Sequence, residues 1–171
     1  MLAKVCSLPC AQALAVSIRG KAEKVAAVKE RKADKVKRQD QKSHGKLIAE
    51  AQTAFNAWTR ARDTGKPCIC CGKHGAEQVH GGTWDAGHYR SRGSAPHLRF
   101  DERNVHAQLK QCNRYDSGNV VGYRLGLINR LGLEVVEALE ADQTPRKYTR
   151  DELVTIKRDY SAKTKELKVN A

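Results

Sequence analysis

Several things are scarce in this 171-residue chain. Aromatic residues make up only 5% of it. That predicts a small, mostly aliphatic core, and it leaves no surface aromatics interleaved with cations, as base-stacking RNA binders need. No apolar run approaches the ~18 residues that a membrane span requires. The stretch "MLAKVCSLPCAQALAVSI" is a poor signal peptide. Lys4 is its only early cation, two cysteines and a proline interrupt it, and a basic segment follows. No internal repeat is present.

Positive charge is what the chain has in excess. Lys and Arg number 32 against 19 Asp and Glu, for a net charge of +13 and a pI near 9.7. Such a balance favours a polyanionic partner through phosphate contacts and counterion release. Residues 1–50 hold twelve Lys and Arg against five Asp and Glu. The segment "KAEKVAAVKERKADKVKRQDQK" (21–42) lacks Gly and Pro and is rich in helix formers. It reads as a long, solvated, basic helix, either a plain charged helix or a phosphate-contacting one.

Further along, Leu47, Ile48, Ala51, Phe55 and Trp58 fall on one helical stripe, with Gly65 near its C-terminal end. Residues 66–117 are short-segmented and dense in Gly, His and Cys, which predicts hairpin and loop. From Gly118 the pattern is helical again, with Val120, Val121, Tyr123, Leu127, Ile128 and Leu131 on an apolar face. Gly132 breaks that helix and Leu133–Leu139 continues as a second piece. Thr149 and Glu152 form a capping-box pair at the head of a closing amphipathic helix. The division expected is a basic helical extension (1–45), a core with flanking helices (46–141) and a C-terminal helix (142–171).

Six cysteines stand at 6, 10, 68, 70, 71 and 112. Such clustering suits metal better than disulfides. In "PCICCGK", Cys68 and Cys71 form a C-x-x-C pair on a turn that Gly72 allows, two corners of a zinc site for which Cys112 is a candidate third ligand. Cys70 is expected to point elsewhere. Leu109 stands where a second C-x-x-C would begin. The fourth ligand then comes from His106, Cys70 or a water, or zinc binds weakly or not at all. Buried, metal-free thiols are the competing reading. Cys6 and Cys10 form only half a site.

His88 follows Asp85-Ala86-Gly87 on an expected strand, with Asn104 in the next loop and Asn113 directly behind Cys112. A histidine, an asparagine and a third His or Asn in this order, bracketed by cysteines, is the layout of an HNH (ββα-metal) nuclease. Imidazole can take a proton from water near neutral pH. A hard cation such as Mg²⁺ or Mn²⁺ needs oxygen donors, which Asp85 and Asn113 supply if the chain bends or bulges at Ala86-Gly87. Asn104 would hold the loop so that His88 is oriented. Arg90, Arg92, Arg99, Lys110 and Arg114 are candidate phosphate contacts, with ordinary surface charge as their plain alternative. The fold class expected is α+β, a small ββα-metal zinc-knuckle core flanked by helices.

At "PCICCGK" and "WDAGHYRSRGSAPHLRFDERNVHAQLKQCNRYDSGNVVGYR" the sequence resembles the lambdoid-phage NinG (Rap) recombination proteins. The resemblance implies a metal-dependent, structure-selective endonuclease working in the cytoplasm of a bacterial host. Its partner would be branched double-stranded DNA such as Holliday junctions and D-loops. The family pattern has a cysteine at the place of Leu109, a further cysteine knuckle before the 6–10 pair, and a lysine-like residue at Asp116. The expectation is therefore a weakened zinc site, no N-terminal site, a truncated or late-assigned start and one phosphate contact fewer. A non-catalytic zinc-binding DNA adaptor, or a decayed nuclease, is the competing reading. Paired cuts across a junction suit a homodimer, for which Leu125, Leu131 and Leu139 are candidate contacts, against an ordinary core role.

Overall fold

A Ser-Leu-Pro start signal opens the first helix well before the charged segment. In the computed structural model, which describes residues 6–75 and 82–169, α1 spans Leu8–Asp40. The Ser7 hydroxyl accepts from the Cys10 amide at 3.4 Å and Pro9 lies in the first turn. None of its residues is buried. Residues 1–43 form one compact unit and 44–171 a second. No helix among the described residues is long and apolar enough to cross a membrane.

The second unit begins with α2 (His44–Arg62), whose apolar stripe lies against α5 (Arg150–Val169). The two helices run the same way, since Glu50 pairs with Lys157 and Trp58 meets Tyr160. Leu47, Ala51, Phe55 and Trp58 are buried with Phe100, Val105, Tyr148 and Leu153. Phe55 sits edge-on to Phe100 and to Tyr160. Half of these eight residues are aromatic, although the buried residues as a whole are mostly aliphatic, as expected. The few aromatic residues are concentrated there, where one ring buries more apolar area than an aliphatic side chain. The α5 cap is a full capping box: the Thr149 amide donates to Glu152 and the Glu152 amide to the Thr149 hydroxyl.

A two-stranded antiparallel sheet forms the middle, β1 (Trp84–His88) on β2 (Val105–Leu109). After β2 come a five-residue π turn (Gln111–Tyr115), α3 (Val120–Leu131) and α4 (Leu133–Ala141), with Gly132 at φ 90° between the two helices. The architecture is α+β.

A second core joins Cys68, Ile69, Cys70 and Cys112 to Tyr123, Leu127 and Val136. α3 can approach the cysteine turn so closely because Gly122 and Gly126 face it. A Cβ at Gly126 would lie 1.7 Å from the Ile69 carbonyl oxygen. Of the expected apolar face, Tyr123 and Leu127 are buried and Ile128 and Leu131 pack against this core, while glycine backbone makes the contact at the cysteine turn. Val120 and Val121 are exposed, and so is Leu125, whereas Leu139 is buried.

Candidate functional site

The segment from Cys68 to Lys73 folds back on itself. The Gly72 amide donates to the Cys68 carbonyl and the Cys68 amide to the Lys73 carbonyl. The Ile69 amide ties this turn to the Ala107 carbonyl of β2. The turn removes the alternation that would send neighbouring side chains apart. Cys68, Cys70, Cys71 and Cys112 all place their sulfurs within 4.8 Å of one another. The Cys68–Cys70 separation is 3.5 Å and the Cys71–Cys112 separation 3.6 Å. Around a tetrahedral zinc with bonds of about 2.3 Å, sulfurs lie about 3.8 Å apart. The donor set therefore fits such an ion.

Cys70 belongs to the cluster and does not point away from it. The fourth corner left by Leu109 is filled from within the first turn, while His106 packs beside Tyr123, away from the sulfurs. Leu109 still contributes its amide, which donates to the Cys68 sulfur at 3.3 Å, and Gln108 donates to the Cys70 sulfur at 3.2 Å. Burial pushes the Cys68 thiol up, but the amides of Leu109, Cys70 and Cys71 bring it below its ordinary value. Burial and the neighbouring thiols hold Cys112 far above its own. Four thiols this close cannot all ionise without a cation among them. Cys6 and Cys10 lie 3.2 Å apart at the head of α1, and among the described residues no third ligand joins them.

The hairpin also borders a cleft of about 510 Å³. Asp85, His88, Asn113, Arg92, Arg114 and Arg60 all line it. The β1–β2 register runs unbroken from Trp84↔Leu109 to His88↔Val105, so Ala86-Gly87 forms no bulge. Gly87 instead makes room for Gln108, whose Oε1 would lie 2.1 Å from an added Cβ. Asp85 reaches the cleft without a bulge and meets Asn113, whose Nδ2 donates to Asp85 Oδ2 at 2.9 Å. Arg114 holds both Asp85 oxygens, at 2.7 and 2.9 Å. Burial raises the Asp85 carboxyl, and these bonds more than reverse that, keeping it ionised.

His88 Nε2 lies 3.1 Å from the Arg99 carbonyl oxygen. A carbonyl only accepts, so Nε2 carries the proton and Nδ1 is the acceptor of the neutral ring. Burial lowers the imidazole to about 4, Arg92 and Arg99 add to the effect, and the Arg99 carbonyl opposes it. Asn104 is fully buried and holds the connecting loop. Its Oδ1 accepts from the Arg90 amide at 2.8 Å, and its Nδ2 donates to the Arg90 and Leu98 carbonyls at 3.0 and 3.1 Å. Its own carbonyl accepts from the Tyr89 amide. These bonds bracket the residues on both sides of the His88–Arg99 contact.

The expected phosphate contacts separate into two groups. Arg92 and Arg114 line the cleft, and Lys110 lines a neighbouring hollow whose wall shares Arg60, Asp85 and Arg114. Arg90 instead donates to the Leu139 and Glu140 carbonyls at the end of α4, where carbonyls lack helical donors. Arg99 is half-buried and bonds Gln52. Asp116 accepts from Gln111. Arg60 and Asn56 of α2, which are not among the expected site residues, also line the cleft. Their i, i+4 spacing, which puts both on one helical face, was the available signal.

Residues 1–170 match the family described as Bacteriophage Lambda NinG protein. The chain is 46% identical to Protein ninG of Salmonella phage P22 over 121 residues, covering 71% of this chain and 57% of that protein. It is 47% identical to Protein ninG of Escherichia phage 933W, covering 71% and 58%. For Protein ninG of Escherichia phage lambda the values are 46%, 71% and 57%. The chain thus spans under three fifths of the length of these relatives in the matched stretch. No solved structure matches it.

Proposed function

The chain belongs to the NinG family of lambdoid phages, and from that premise we propose a metal-dependent, HNH-like endonuclease of phage recombination. Its substrate is branched double-stranded DNA such as Holliday junctions and D-loops, met in the host cytoplasm. One observation carries the reading: Asp85, His88 and Asn113, from β1 and the turn after β2, line a single cleft walled by arginines.

In this reading His88 is the general base. It is neutral above about pH 4, and the Arg99 carbonyl fixes the tautomer that leaves Nδ1 to accept a proton from the attacking water. Asn104 is the positioning residue that holds the loop backbone around that contact. Asp85 and Asn113 offer hard oxygen donors 28 positions apart in sequence and in hydrogen-bond contact in space, which fits Mg²⁺ or Mn²⁺. When bound, such a cation stabilises charge developing at the scissile phosphate. Arg92, Arg114 and Arg60 bind the flanking backbone. The four cysteines, whose sulfurs lie within 4.8 Å of one another, would hold a structural zinc. Two copies of the chain suit paired cuts across a junction.

A second reading has one observation in its favour. Arg114 satisfies both Asp85 oxygens without a metal, as a DNA-binding zinc adaptor descended from a nuclease would allow. The test is a four-way junction incubated with the protein and Mg²⁺ or Mn²⁺, beside a linear duplex. The nuclease nicks the junction preferentially, and His88→Ala abolishes nicking while junction binding stays largely intact. Equal cleavage by the two proteins, or none by either, removes the catalytic assignment, and binding without cleavage favours the adaptor.

A further inference from the structure

α1 holds nine Lys and Arg and four Asp and Glu, and none of its residues is buried. Their positions are not evenly spread. At 3.6 residues per turn, Lys21, Lys24, Arg31, Lys32, Lys35 and Arg38 fall within a sector of about 120°. Glu23, Glu30, Asp34 and Asp40 all fall outside it. Six of the nine cations thus share one third of the circumference with no carboxylate among them. Along the axis the stripe extends for about 26 Å at 1.5 Å per residue.

We propose that this face of α1 is a sequence-independent contact surface for the backbone of double-stranded DNA. The proposal rests on the nucleic-acid reading above and adds to it a specific surface, outside the cleft residues. The chemistry of the helix selects this partner over others. α1 contains no aromatic residue, so it offers no platform on which the bases of a single strand could stack. Between Lys21 and Arg38 there is no Asn or Gln to read base edges, and Gln39, on the same face just beyond, accepts from Lys42. From Lys21 to Asp40 the apolar residues are only Val and Ala, which gives a bilayer no bulky side chain to take up. A second copy docked on the same face would set like charges against each other. Lysines and arginines against phosphates remain, and their contribution comes from counterion release.

The test uses the full chain in two triple variants of equal charge change. The first neutralises the stripe, with Lys24→Gln, Arg31→Gln and Lys35→Gln. The second neutralises cations off the stripe, with Arg19→Gln, Lys29→Gln and Lys37→Gln. Glutamine keeps helix propensity close to that of Lys and Arg, and far-ultraviolet circular dichroism checks that α1 persists. Binding to an uncut 30-base-pair duplex of arbitrary sequence is titrated against salt without divalent cations. The stripe variant should lower the slope of log K against log salt by about 2.7, at about 0.9 per lost phosphate contact, and weaken binding about tenfold or more. The off-stripe variant should leave most of both. Equal losses in the two variants would mean diffuse attraction and overturn the face. So would no loss in either, or, in a parallel titration with vesicles of phosphatidylcholine and 30% phosphatidylserine, a loss seen there and not with the duplex. Because the duplex is never cut, a failure here leaves the His88 test standing, and a failure of the His88 test leaves this measurement readable.

Discussion

His106 shows how a single side chain links burial to pH. It is 3% exposed on β2, with its amide held by the Tyr123 hydroxyl and its Nδ1 without a hydrogen-bond partner among the described residues. Burial lowers its imidazole to about 3, Arg62, Arg130 and Lys66 add to that, and Asp63 opposes it. The folded chain therefore binds this proton much less readily than the unfolded chain, whose histidine titrates near 6.5. The stability gained is fully present above pH 6.5 and falls as the pH drops from there toward 3. At pH 5 the loss is about 2 kcal/mol. Urea unfolding of wild type and His106→Gln at pH 7.5 and pH 5 measures it. Both proteins carry the same cysteines, so acid effects on those cancel, and the variant should lose about 2 kcal/mol less. Parallel losses would show that His106 does not remain neutral in the fold. The same burial explains why this histidine, considered from sequence as a fourth zinc ligand, is a core residue instead.

Among the elements, two glycines make opposite predictions for the same substitution. Gly20 lies in α1 with nothing within 4 Å of an added Cβ, so Gly20→Ala should stabilise that helix by about 0.8–1 kcal/mol. Gly126 lies in α3, where the added carbon would overlap the Ile69 carbonyl. Gly126→Ala should force α3 off the cysteine turn and lower the thermal midpoint, despite the better helix propensity. Helicity and melting of the two variants separate the cases; a stabilised Gly126→Ala would mean that the approach of α3 is looser than described. The contrast marks how much was legible in the sequence. The stripe of α2, the break at Gly132 and the Thr149–Glu152 cap are local patterns, and the elements form where those patterns lie. The exposure of Val120 and Val121, the inward sulfur of Cys70 and the arrival of Arg60 at the cleft depend on what packs against each element from far along the chain. Periodicity cannot supply that, and in the 66–117 stretch residues 76–81 lie outside the described ones.

Among the described residues of the 44–171 unit, the two larger of three buried clusters are joined by a charged hub. Asp63, just past α2, accepts from Nε and Nη2 of Arg62, from Lys66 and from the Ala107 amide of β2, and lies 3.5 Å from Arg130 of α3. Burial raises its carboxyl, but these partners hold it far below the ordinary range. The aromatic core on one side contains no cysteine; the other is built around the sulfur cluster. Each contains one of the two tryptophans, Trp58 in the first and Trp84 packed against the second. A metal among the four sulfurs therefore stabilises one core directly and the other through the hub and the hairpin they share. Purified protein should contain about one zinc per chain, as four thiolates fit one tetrahedral ion. Chelation at pH 7.5 should shift the fluorescence of a Trp58→Phe variant, which reports Trp84, at chelator levels where a Trp84→Phe variant, reporting Trp58, is unchanged. Cys70→Ser should bring the first response to lower chelator concentrations, because it removes the ligand that stands in for the one missing at Leu109. Simultaneous shifts of both tryptophans would mean that the two cores melt as one, and protein isolated with no metal would mean that the sulfurs are a packed thiol cluster.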